Sequence, residues 1–60
     1  MNKEQLLSFM IEEFELANKQ AMVGSGISES EADLKNSEYR LSISMLLSQV
    51  VEKMFEKNIF

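Results

Sequence analysis

Apolar side chains recur at helical spacing in two stretches of this chain, and both of its glycines fall between them. In the first stretch, Leu7, Met10, Phe14, Ala17 and Ala21 follow one another at steps of three and four. That spacing lines one side of an α-helix, and Leu6, Ile11 and Met22 or Val23 widen the stripe. Glu12, Glu13 and Glu15 take the opposite side, with Glu15 and Lys19 spaced as an i,i+4 pair. Asn2 precedes the pattern with Gln5 three residues on, the arrangement of a capping box. Val23-Gly24-Ser25-Gly26 closes the segment; Gly24 suits a left-handed position after the last turn, and Gly26 frees the chain to reverse.

Ser28 followed by Glu31, and Ser30 followed by Asp33, both fit the start of a second helix, whose dipole Glu29, Glu31 and Asp33 complement. Asn36 and Ser37 compete with helix through local hydrogen bonds, but their propensity cost is only tenths of a kcal/mol. The second helix is therefore expected to run on through them, with a bend or fraying allowed at Lys35 to Ser37. The chain reads as all-α: an antiparallel hairpin with a helix over about 3–22, a turn over about 23–28 and a long helix over about 29–58. Residues 1–60 are expected to form one such domain.

The stretch from Ser37 to Phe60 holds the densest apolar pattern. Tyr39, Ile43, Leu46, Leu47, Val50 and Met54 span about 100° of the helix surface, enough to pair with the first helix. A second set, Leu41, Met45, Val51, Phe55 and Ile59, falls on what would be the outer side. One hairpin has a single seam and leaves that set in water, although burying each such side chain is worth about 1.5–3 kcal/mol. Soluble monomers rarely expose a patch of this kind. The expected interface is therefore Leu41, Met45, Leu46, Leu47, Val50, Val51, Met54, Phe55, Ile59 and Phe60, with two hairpins dimerising into a four-helix bundle. Tyr39, with an apolar ring and a hydroxyl, suits an interface rim.

Composition narrows the function. Sixty residues form a small core, and a chain of that size gains stability from disulfides, metals or oligomerisation. Cys and His are absent, so neither a disulfide framework nor a zinc, copper or haem ligand set is available. No loop spaces carboxylates like a calcium site. Ten acidic against six basic residues give a net charge of −4, and the basic residues are scattered. Direct nucleic-acid binding and attraction to anionic membrane are not expected. The longest uncharged runs are too short to span a bilayer, the amino terminus does not read as a signal peptide, and a cytoplasmic location is expected. Gly24-Ser25-Gly26 lacks the residues of a phosphate loop.

Catalysis finds little support. Paired carboxylates such as Glu12 with Glu15, or Glu52 with Glu56, lack the Glu-x-x-His partners of di-iron bundles and an enclosing pocket that would raise a carboxyl pKa. The serines have no neighbouring general base. No catalytic, metal, cofactor or small-molecule site is expected. In size and hairpin form the chain resembles the sporulation phosphatases, but Leu47-Ser48-Gln49-Val50-Val51 has no acid where their Ser-Gln-Glu-Leu-Asp motif requires one, and no family is assigned. The expected function is a small acidic protein–protein interaction module, a dimeric regulator, inhibitor or chaperone of a larger protein. Its partners would be a copy of itself and that larger protein. The alternative is a purely structural homo-oligomeric subunit.

Overall fold

A computed structural model describes residues 1–58 of the chain. Two helices, α1 (Lys3–Gly24) and α2 (Glu29–Glu56), form an antiparallel hairpin. The expected elements are present, with α1 two residues longer and α2 two residues shorter than the periodicity indicates. Ile59 and Phe60, both expected at the interface, lie outside the described residues.

Each helix starts on a side-chain cap. The Asn2 side chain accepts the Gln5 N–H at 2.8 Å, and the Gln5 side chain accepts the Asn2 N–H at 3.0 Å, so two otherwise orphaned donors are satisfied reciprocally. Ser28 Oγ accepts the Glu31 N–H at 3.2 Å and starts α2. Between the helices, the Gly26 N–H donates to the Val23 carbonyl and the Ile27 N–H to the Met22 carbonyl. This is the double closure of a Schellman motif, which places one residue in the left-handed region. That residue is Gly26, at φ 99°, and not Gly24, which remains the last residue of α1. The break comes two residues later than expected because Gly24 still continues the helix. At the far end Asn58 takes φ 51°, a conformation asparagine tolerates better than most residues.

The seam between the helices differs from the one the apolar spacing suggests. On α1 the half-buried row is Leu7, Ile11, Glu15, Asn18 and Met22, while Phe14, Ala17 and Ala21 remain exposed. On α2 the buried positions are Ala32, Asn36, Ile43 and Val51, with Leu47 and Phe55 half-buried along the same row. Steps of four dominate on both helices. Such rows are inclined to the helix axis, so the contact line drifts across each helix surface. It passes through Val51 near the end of α2, leaving that residue 2% exposed. Val51, expected on the outer side, is thus buried by the hairpin itself. Tyr39, Leu46 and Val50, expected in the seam, are exposed.

Polar groups explain why the row is placed there. Asn18 Nδ2 donates to Asn36 Oδ1 at 2.8 Å, and Asn36 Nδ2 donates to the Glu15 backbone carbonyl at 3.0 Å. Asn36 is only 7% exposed. Its amide bonds across to α1 and does not compete for the backbone of its own helix, so α2 passes through it unbroken. Glu15 also turns toward α2, not to the outer side with Glu12 and Glu13. Its Oε1 lies 3.5 Å from Arg40 Nε, while Lys19 pairs with Asp33 at 3.0 Å. The charges expected to pair along α1 pair between the helices instead.

Candidate protein interaction surface

The seam divides the hairpin into two flanks of different chemistry. At about 100° per residue, Asp33, Arg40 and Glu52 lie to one side of the Ala32–Asn36–Ile43 row. Each joins an ion pair to α1: Lys19–Asp33, Glu15–Arg40 and Lys3–Glu52. Lys3 Nζ reaches both Glu52 carboxylate oxygens, at 3.0 and 3.2 Å, and lies 5.6 Å from the centre of the Phe55 ring. The ammonium thus holds a carboxylate and an aromatic face together at the open end of the hairpin. Hydrogen bonding to Asp33 is the largest cause that raises the Lys19 pKa above the ordinary lysine value, with the Asp33 and Glu29 charges adding and desolvation opposing.

To the other side of the row lie Lys35, Tyr39, Ser42, Leu46 and Val50. Here Phe14, Asn18, Met22, Lys35, Tyr39, Ser42, Ile43 and Leu46 line an open groove of about 430 Å³. Its floor is the seam and its walls are the aromatic rings and Leu46. Leu46 is 64% exposed and Tyr39 58%, and Phe14 and Val50 are exposed beside them. The two flanks are set by the offset between the apolar stripe and the oblique seam. Phe14, Tyr39, Leu46 and Val50 spill to one side, and the ion pairs reach across on the other, where Leu16 and Val23 are exposed beside Lys19.

The residues expected at an interface are distributed over three environments. Leu46 and Val50 belong to the groove flank, with half-buried Leu47 and Met54 close to the seam. Leu41, 74% exposed, and Met45 lie on the outer side of α2. Val51 and Phe55 are used in packing α2 on α1. Met22 stays in the seam and floors the groove, whereas Phe14, Tyr39 and Leu46 are groove walls that spacing alone assigned to the seam. Their signal lay in the polar positions: Asn18, Asn36 and Arg40 are where the two helices hold each other, so the large side chains one step aside are pushed out.

Among the described residues, no group of three or more His, Cys, Asp or Glu side chains is placed to hold a metal ion. No helix there is long and apolar enough to cross a membrane. The groove offers apolar walls, the Tyr39 hydroxyl and the Asn18 amide. In comparisons with known proteins, the chain matches no family model, no curated protein and no solved structure.

Proposed function

We propose that this chain is a protein–protein interaction module, a helical hairpin that regulates, inhibits or escorts a larger protein and associates with itself. One observation carries the reading: Phe14 on α1 and Tyr39, Leu46 and Val50 on α2 are all exposed along one flank of a small hairpin. Contiguous apolar surface on that scale marks contact sites on soluble proteins, and aromatic residues and methionine are enriched at them. The exposed acids Glu12 and Glu13 on α1 and Glu29 and Glu31 at the start of α2 keep the free chain soluble. The cytoplasmic setting expected from the composition is part of the same reading.

Size fractionation of an extract of the native host, with immunodetection of the chain, tests this. The chain should migrate in a species heavier than its own 6.9 kDa. Recovery of the chain as a free 6.9 kDa species under gentle extraction would overturn the reading.

A further inference from the structure

Resting on that reading, we infer that the occupant of the Phe14–Tyr39–Leu46 groove is a second copy of this chain, placed so that the two groove flanks face each other and both ion-paired flanks point outward. The first argument is area. A compact monomer of this mass exposes about 4000 Å², and this chain exposes 4648 Å². The excess of about 650 Å² is close to the ~800 Å² that each partner buries in a stable protein complex. One face of one hairpin is enough to account for it.

The same excess is visible in the shape. The hairpin measures 39 × 19 × 15 Å, with a radius of gyration of 13.2 Å. A compact 60-residue chain would have about 10.4 Å, and a compact 120-residue chain about 13.6 Å. One hairpin is thus already as long as a four-helix bundle and about half as thick. A second copy adds thickness without adding length, and brings the assembly to compact proportions.

Chemistry selects the flank. Opposing two ion-paired flanks would desolvate Lys3, Glu52, Lys19, Asp33, Glu15 and Arg40. Opposing two groove flanks covers Phe14, Tyr39, Leu46 and Val50, leaves those six ions in water and brings one charge of each chain, Lys35, to the contact. A copy of the chain is also the one occupant always present when the chain is made. A small scaffold without disulfide bonds gains stability from such support.

Molar mass and cross-linking of the purified protein test the inference. The wild-type chain should have twice its 6.9 kDa mass at micromolar concentration, Leu46→Glu should halve that mass, and Leu41→Glu should leave it unchanged. Because Leu46→Glu could also unfold a hairpin that needs its partner, a second readout uses the absence of cysteine from the sequence. With a short bis-maleimide, Ser42→Cys on the groove flank should give a covalent dimer, and Ser37→Cys on the opposite flank should not. A wild-type mass of one chain would overturn the second-copy inference, while a heavier species in host extract would still uphold the interaction reading. A dimer broken by Leu41→Glu but not by Leu46→Glu, or cross-linked through Ser37→Cys alone, would overturn the choice of flank and leave self-association standing.

Discussion

Asn18 and Asn36 meet side chain to side chain at 2.8 Å about two helical turns from the connecting loop, and Asn36 continues the chain of hydrogen bonds onto the Glu15 carbonyl. An apolar seam slides with little penalty, whereas a buried amide has to find its partner. A shift of one helical turn would set Asn36 against Phe14 or Met22, neither of which can accept or donate. Removing one partner of such a bond costs about 1–3 kcal/mol. Asn36→Ala should therefore lower stability by about that amount in a urea titration at fixed chain concentration. Replacing both residues by leucine should preserve or raise stability while relaxing register, as buried polar residues do in fixing coiled-coil alignment. Amide NMR spectra of the double variant would then show more than one set of peaks, and a single sharp set would refute the register role.

Val51 and Leu41 separate burial from mere apolarity. The first is buried by α1 and the second stands in water. Val51→Asp puts an unpaired carboxylate in the seam, a change in the class that destabilises by more than about 3 kcal/mol, and loss of the helical circular-dichroism signal at room temperature is expected. Leu41→Asp should stay within about 0.5 kcal/mol of wild type. Similar melting temperatures for the two variants would contradict the seam described above.

The two glycines should respond with opposite signs. Gly26 sits at φ 99°, where any side chain is strained, and Gly26→Ala should destabilise by about 1 kcal/mol or more. Gly24 is helical, with open space around the position a Cβ would take, so Gly24→Ala should stabilise by up to about 1 kcal/mol. Thermal melts of the pair decide the matter, and the prediction fails if both shift the same way.

Caps make a smaller, additive contribution. Asn2→Ala removes the side-chain acceptor at the start of α1, and Ser28→Ala does so for α2. Each should cost about 1 kcal/mol, and because the two sites are independent the double variant should show the sum within about 0.5 kcal/mol.

The ion pair between Lys19 and Asp33 adds a small alkaline dependence to stability. The folded chain raises the Lys19 pKa above its unfolded value, so whatever stability the pair supplies is complete below the unfolded lysine pKa of about 10.4. It is lost as pH rises through the higher folded value. Lys19→Met should flatten the decline in stability at the alkaline end of a pH series and leave the neutral region nearly unchanged. A steeper alkaline decline in the variant would show that the sign is wrong.

The sequence made the elements plain and the seam obscure. Asn2 with Gln5, Ser28 with Glu31 and the paired glycines are local signals, read from residues within a few positions of each other, and they locate both helices to within two residues. The seam depends on which rows of two separate helices interlock, which no single helix specifies. Apolar periodicity alone put Tyr39, Leu46 and Val50 inside and Val51 outside. Inter-helix partners such as Asn18–Asn36 and Glu15–Arg40 decide otherwise, and their pairing becomes visible only once the hairpin is closed. The excess of apolar side chains on α2 is legible from sequence, because a count of such residues does not depend on which way the helix is turned.

The Schellman closure at Gly26 has a kinetic consequence. With α1 and α2 joined through residues 25–28, the search that brings one helix to the other is short and stays within one molecule. Closing a short loop takes well under a microsecond, and a hairpin of such local contacts forms in microseconds to milliseconds. Docking of one hairpin on another is a bimolecular event whose rate scales with concentration. Under the pairing proposed above, refolding should speed up as the chain is made more concentrated, because the four-residue turn leaves meeting a partner, and not finding its own second half, as the slow step.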